Sequence, residues 1–466
     1  MKKGYIISAL SLIINSLSAQ SGTAAYGSQS FLSSNSMNPA LGVQDVKFVL
    51  GLPTNLNLDA QYSFKLTDLL EKTSTKTVAN LTRFAGKLAA TNHLDLDISS
   101  DLFHLGFRKG KNYVSVGAQL LTNTQATFSN TAAKLLLEGN KANPNAALTQ
   151  ESMYHQSTVA AYIGLARSFM KDDRLTVGIR VKQFNGIGHM ESQKLNFNIK
   201  TNLNSTPLYA LQIQSDVALQ AGGVFGTALD AVGDTAKWAN LKKTIQSNPI
   251  TGSGLGADLG ISFKVTEKLN VSASMLHLGS ITWKKESAFT AKSRSASTFD
   301  WAGYSYKIGL DNPTLNQDSI VKAAKNAVLP VMTLGSYSSS LPSAFYLGAS
   351  YQLTQKQQIS AVFRSQTIGN QTNTLLGANY RFQLWKALQL SAGVSLPSNS
   401  PMTVSSGLVF SPGPFQFYLM SDNVTGIDNA NRIHLQAGFN LVFRKKKDNA
   451  TVPVPTPEPP KADLPK

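Results

Sequence analysis

Eight charged residues stand at alternate positions inside otherwise apolar segments: Asp95, Asp97, Arg180, Lys182, Asp258, Lys264, Arg364 and Arg381. Asp95 and Asp97 interleave with Leu94, Leu96 and Ile98. Arg180 and Lys182 interleave with Ile179 and Val181, and Asp258 and Lys264 with Ala257, Leu259, Ile261 and Phe263. A two-residue repeat of this kind sends the charges to one face of a strand and the apolar side chains to the other. Charges of both signs facing one interior have two uses. They line a path that prefers anions, or they pair and prop a narrow interior shut; the paired network is the favoured reading.

Other chemistry is poorly represented. The six histidines (His93, His104, His155, His189, His277, His434) are scattered, without the paired spacing of a metal site. Gly252-Ser253-Gly254-Leu255-Gly256 has the wrong order for a nucleophile elbow. It also lacks the Gly-Lys-Ser/Thr ending of a phosphate loop, so it reads as a flexible entry into a strand. Ser421-Asp422-Asn423 is a cation ligand set by composition and an Asx turn by the more ordinary reading. There is no Cys, hence no disulfide framework and no thiolate chemistry. No enzymatic activity, metal or cofactor is expected.

The elements that must position these charges are strands. Candidates are 43–63, 93–108, 112–127, 157–168, 174–200, 254–265, 270–285, 343–354, 358–367, 373–383, 387–396, 403–411, 414–421 and 432–443. That makes about fourteen, an even number, as bacterial single-chain barrels require. The links alternate in length. Short turns such as Lys109-Gly110-Lys111 fall at one end, and the long links 64–92, 128–156, 201–253 and 286–342 at the other. Short periplasmic turns and long outer loops give the same asymmetry. The expected fold is therefore all-β, a transmembrane antiparallel β-barrel spanning 43–443, with helical segments at 66–90, 226–246 and 317–329 in its long outer loops. In the last of these, Asp318 caps a helix that Pro330 ends. Segment 208–219 is also strand-like. It either pairs with 190–200 as a projecting hairpin or adds a pair of barrel strands.

The last strand, 434–443, reads HLQAGFNLVF. Leu435, Ala437, Phe439, Leu441 and Phe443 face one way, and His434, Gln436, Gly438 and Asn440 the other. Ten alternating residues ending on an aromatic suit one barrel strand with its interfacial girdle. The run Arg444-Lys445-Lys446-Lys447 then stops it.

Outside the barrel, Lys2 and Lys3, the apolar stretch 6–14 and Leu17-Ser18-Ala19 read as a secretory signal peptide over 1–19. No segment offers ~18 unbroken apolar residues, so no transmembrane helix is expected. Residues 20–42, rich in Ser, Asn and Gly, are a plug inside the barrel or a leader. The formal charge of +17 fits solvated loops beside anionic headgroups better than nucleic acid in an exported chain. Residues 444–466 form the basic stop and a Pro-rich, extended tail. In this topology the tail is periplasmic, in a Gram-negative outer membrane. Expected partners are outer-membrane lipid, the barrel assembly machinery, and envelope or secretion partners reached through the outer loops and the tail.

Several motifs resemble a known group. Asn92-His93-Leu94-Asp95-Leu96-Asp97, Leu105-Gly106-Phe107-Arg108 and Gly110-Lys111-Asn112-Tyr113 resemble a Bacteroidota outer-membrane family labelled only as a domain of unknown function. The stretches from Leu175 to Lys182 and from Phe415 to Val424 are similar to its further signatures. Asn38-Pro39-Ala40 resembles the start of FadL-like barrels, including the porin V proteins of type IX secretion. Gly438, Leu441 and Phe443 resemble the C-terminal assembly signal of outer-membrane barrels. The resemblance implies a FadL-like barrel, usually fourteen-stranded, but no substrate; on architecture and fold-level analogy the expected function is binding or passage of a small hydrophobic or amphiphilic ligand. The alternative is a non-transporting accessory or scaffold of the envelope, serving type IX secretion or gliding motility.

Overall fold

The structure is a computed structural model and describes residues 26, 32–42, 46–72, 77–141, 143–204, 210–231, 235–294, 297–301, 330–398, 401–423 and 432–444. The signal-like start, helical segment 317–329 and the Pro-rich tail lie outside the described residues.

Fourteen strands form a closed antiparallel barrel. Strand β1 runs through Val46–Gly51 and Asn55–Tyr62, β2 is Thr91–Lys109, β3 Asn112–Ser129, β4 Ser152–Phe169 and β5 Leu175–Asn202. Then come β6 (Gly252–Lys264), β7 (Leu269–Trp283), β8 (Ser343–Thr354), β9 (Gln357–Ile368) and β10 (Gln371–Trp385). The sheet ends with β11 (Leu388–Pro397), β12 (Thr403–Phe410), β13 (Phe415–Ser421) and β14 (Arg432–Arg444). Each strand pairs with the next, and β14 returns to β1, with Leu50 opposite Leu441 and Leu58 opposite Leu435. The expected strands are present, although β4 begins at Ser152 and β1 is interrupted. Pro53 has no N–H to give, and the ladder lapses over Leu52-Pro53-Thr54 before resuming.

The alternation sorts the side chains. Leu105, Ile163, Ile179, Leu347 and Phe439 point outward and are exposed, Ile163 at 67%. Polar residues on the opposite parity, including Asn57, Gln119, Gln436 and Asn440, are buried in the lumen. The outward apolar run of β14 covers nine residues, 435–443. At ~3.4 Å per residue and a tilt of ~40°, it stands roughly 20 Å tall, near the band of a transmembrane barrel.

Of segment 208–219, the described residues from Ala210 onward belong to a projecting hairpin. Strand Ala210–Gly223 pairs with the far half of β5, whereas β6 pairs with its near half. Short strands Ala288–Lys292, Thr298–Trp301 and Val331–Leu334 widen this platform beyond the rim. Helices Leu81–Lys87, Asn130–Glu138, Val224–Asp230 and Thr235–Ser247 lie in the long loops. The Asn80 and Ser129 side chains cap the first two by accepting the N–H groups of Arg83 and Ala132.

Candidate functional site

The lumen is the candidate site, and it is occupied by the chain's own N-terminal segment. Tyr26 and residues 32–42, including the short helix Ser33–Met37, are almost wholly buried. With its Ser and Asn side chains the segment supplies hydrogen bonds that water would otherwise make. At one wall, the Gln436 amide donates to Ser33 Oγ (2.6 Å) and the Leu32 N–H donates to Gln416 Oε1 (3.3 Å). At the opposite wall, Asn38 Nδ2 donates to the carbonyls of Ile261 (3.3 Å) and Ala273 (3.1 Å), which face each other across β6 and β7.

Asn38-Pro39-Ala40 approaches that wall closely because the facing residues are glycines. Gly178 and Gly260 pair directly across β5 and β6. A Cβ on Gly260 would come within 2.1 Å of Asn38 Oδ1, and one on Gly178 within 2.5 Å of the Pro39 carbonyl carbon. Two adjacent glycines thus open a recess for the turn.

Beside the recess lies the first ionic cluster. Asp258 Oδ2 accepts from Lys182 Nζ (2.8 Å) and Arg180 Nη1 (3.2 Å), all three side chains being almost inaccessible. The register explains the meeting, since Arg180 lies opposite Asp258 and Lys182 opposite Gly256. Lys182 also donates to Gln119 Oε1 (2.7 Å). Gln119 donates in turn to Asp101, which accepts from Ser36 Oγ as well. Arg180 Nη2 reaches Asn35 Oδ1 (2.8 Å) and the Asn35 carbonyl (3.0 Å). Its guanidinium lies 4.5 Å from the Tyr162 ring centroid. Tyr162 and Tyr113 both hydrogen-bond the buried His104 ring, at 2.7 and 2.8 Å.

Asp258 also holds a distortion of the wall. Its Oδ1 accepts the His277 N–H (2.8 Å) at a bulge in β7, where Leu276 and His277 together oppose Asp258. His277 has φ +58, a left-handed conformation uncommon for a residue with a Cβ. Beyond the bulge the parity of β7 flips, and Ile281 and Trp283 turn into the lumen.

The second cluster lies nearer the long-loop end. Arg432 grips Asp59 with two bonds of 2.7 Å, across the seam between β14 and β1. Asp422 lies 3.9 Å from Arg432. From β9, on the far side of the lumen, Arg364 comes within 3.9 Å of Asp59. Above the apolar band, His189 stacks on Trp283 (centroids 5.5 Å apart) and shares a hydrogen bond of 2.8 Å with Tyr337. Burial pulls the His189 imidazole down to about 3, so the ring is neutral at pH 7.

A family model described as "Family of unknown function (DUF5723)" matches residues 39–422. The chain belongs to this family. No curated protein matches the DUF5723 chain. Among solved structures it is similar to the TodX deltaS2S3 mutant monoaromatic hydrocarbon channel, at 12% identity and TM-score 0.46, over 92% of this chain and 97% of that one. It is also similar to the Pseudomonas putida toluene transporter TodX, at 11% identity and TM-score 0.37, over 91% and 95% of the two chains. A Pseudomonas aeruginosa FadL homologue matches at 9% identity and TM-score 0.41, over 92% and 100%.

Of the charges singled out in this DUF5723 sequence, Arg180, Lys182 and Asp258 meet in one cluster and Arg364 joins the other. Asp97 is buried and accepts from Asn123. Arg381 is buried, apart from both clusters, and donates to Gln358. Asp95 faces the lumen half-buried. Lys264 shares the parity of Asp258 and Ser262 but, as the last residue of β6, sits half-exposed at the short-turn rim and joins neither cluster. Ser421-Asp422-Asn423 forms a turn through Ser421 Oγ, which accepts the Asn423 N–H (3.2 Å), while Asp422 faces Arg432. Gly438 has a packing reason of its own, because a Cβ there would meet the Thr54 carbonyl at 2.2 Å and the Tyr418 ring at 2.5 Å. Leu441 is half-buried and Phe443 exposed.

The residues that sequence reasoning missed are Asp59, Arg432, Asp101 and the segment's Asn35 and Ser36. Asp59 and Arg432 carry a readable signal, since each continues the inward parity of its strand (Asn57, Asp59, Gln61; Arg432, His434, Gln436).

Proposed function

We propose that this chain is an integral outer-membrane β-barrel protein that binds or passes a small hydrophobic or amphiphilic ligand. The single observation that carries the membrane reading is the outward apolar band around a closed sheet. Such a band has no place in water, and a closed sheet leaves no backbone group unpaired in lipid. The short turns, and with them the C-terminal tail, are assigned to the periplasm on the ordinary asymmetry of such barrels. Recognition of Gly438, Leu441 and Phe443 by the barrel assembly machinery belongs to the same reading.

An apolar ligand is supported by an apolar cluster inside the lumen. Tyr26, Met37 and Leu41 of the N-terminal segment cover Leu276, Tyr346, Val362 and Met420 of the wall. The segment thus sits where an apolar ligand would find contacts.

A second reading, a non-transporting accessory or scaffold, is favoured by the ionic contact between Arg364 and Asp59 across the lumen. Reconstitution in liposomes separates the two. Uptake of a fluorescent fatty acid analogue above that of protein-free vesicles supports the first. No flux of that probe, of sugars or of ions, together with stably co-purifying partners, supports the second.

A further inference from the structure

The short-turn rim carries cations in a regular arrangement. Of the six short turns, five hold an exposed lysine: Lys111, Lys171, Lys268, Lys356 and Lys386. The sixth, Ser411-Pro412-Gly413-Pro414, has none. The seam between β14 and β1 supplies Arg444 and Lys47, both exposed. Cations therefore occur around nearly the whole circumference and outnumber the exposed acids of the same turns, Asp172, Asp173 and Glu267.

Two observations, the bordering aromatics and the arginines held over rings, separate this ring from an ordinary solvated surface. Among the described residues, only Lys111 of the five lysines has an ion-pair partner, Asp173 at 3.4 Å. The ring also borders the apolar band through aromatics. Phe107, Phe169 and Trp385 are exposed a few residues before Lys111, Lys171 and Lys386, Trp385 at 65%. Lastly, two arginines lie over rings at this rim, Arg167 on Phe169 (5.6 Å) and Arg174 on Phe263 (5.7 Å). That geometry holds a cation at the level where a bilayer changes from acyl chain to headgroup.

We infer that the short-turn rim is a binding surface for anionic phospholipid headgroups. Exposed lysines in five of the six turns present donors at headgroup depth, and the aromatic belt below them fixes that depth. Charge complementarity selects the occupant, because zwitterionic lipid offers the ring no net attraction whereas each lysine near an anionic surface adds a favourable interaction. The inference rests on the membrane reading above.

Trp385 makes it testable. The full-length chain carrying Trp238→Phe and Trp301→Phe keeps Trp385 at the rim and Trp283 buried as a constant background. It is reconstituted in mixtures of phosphatidylcholine and phosphatidylglycerol with one lipid or the other brominated. The expected result is preferential quenching by brominated phosphatidylglycerol, with a relative binding constant ~3-fold above phosphatidylcholine. The preference falls to about one in high salt. It falls likewise when the five turn lysines are changed to Gln in a protein whose heat-modifiable gel mobility shows a folded barrel. Equal quenching by the two lipids, or a preference indifferent to salt, overturns the inference and leaves the membrane reading standing. No quenching by either lipid overturns the membrane reading itself. The salt arm needs only the Trp238→Phe/Trp301→Phe protein with its lysines intact, so a lysine variant that fails to fold does not decide the matter.

Discussion

The Asp258 and Asp59 clusters neutralise buried cations under different constraints. Asp258 is the shared counterion of Arg180 and Lys182 and also satisfies the strained N–H of His277. The next carboxylate, Asp101, reaches Lys182 only through Gln119. At the seam, Arg432 has Asp59 at 2.7 Å and Asp422 at 3.9 Å, so two acids serve it. Asp258 alone holds two cations and a backbone N–H, whereas the main cation of the seam, Arg432, keeps a second acid if Asp59 is lost, although Asp59 also faces Arg364 at 3.9 Å. The cost of removing a buried partner depends on what is left unpaired more than on the strength of the lost contact. The two clusters should therefore differ in tolerance.

Asp258→Asn is predicted to have the largest effect, a loss of about 3–5 kcal/mol, because two inaccessible cations lose their counterion. Urea unfolding in lipid vesicles, followed by gel mobility, measures it. Asp59→Asn should cost less, about 2–3 kcal/mol, the usual worth of hydrogen bonds to a charged group. An equal loss in the two variants would show that Asp422 does not share the load of Arg432. Gly260→Ala should cost about 1–3 kcal/mol by overpacking and act on the N-terminal segment. The expected signature is faster proteolysis of residues 32–42 with unchanged circular dichroism of the barrel. Protection equal to the parent protein would contradict the recess.

The smallest effect expected is a pH dependence at the platform. The folded pKa of His189 is depressed to about 3. Its contribution is thus present above the unfolded value of about 6.5 and is lost as pH falls below it. Between pH 6.5 and 5.5 the loss is about 1 kcal/mol. It is read as the difference in pH slope between the parent protein and His189→Phe, and parallel slopes would exclude it.

Much of the wall was legible because barrel strands repeat one rule. Inward Arg180, Lys182 and Asp258 follow from parity alone, and their meeting follows from the antiparallel register. Asp59 and Arg432 obey the same rule and were within reach of it. Ile281 and Trp283 were not. They continue the odd-numbered apolar series of Val271, Ala273 and Met275, yet the bulge at His277 turns them into the lumen. A local distortion held by a distant carboxylate leaves no periodic trace. Ser33, Asn35 and Asn38 were illegible for another reason. They bind as single side chains to groups that lie far away in sequence, and such a segment has the composition of a disordered leader.

The contacts of Ser33 and Asn38 also bear on the order of events during folding. Asn38 needs only the β6–β7 hairpin and the glycine of β5 beside it. Ser33 needs Gln436 on β14, the last strand made. The segment precedes β1, and β1 is the edge that β14 must join. The contacts of the filling are therefore complete only when the last strand is in place, and they tie the start of the chain to both the middle and the end of the wall.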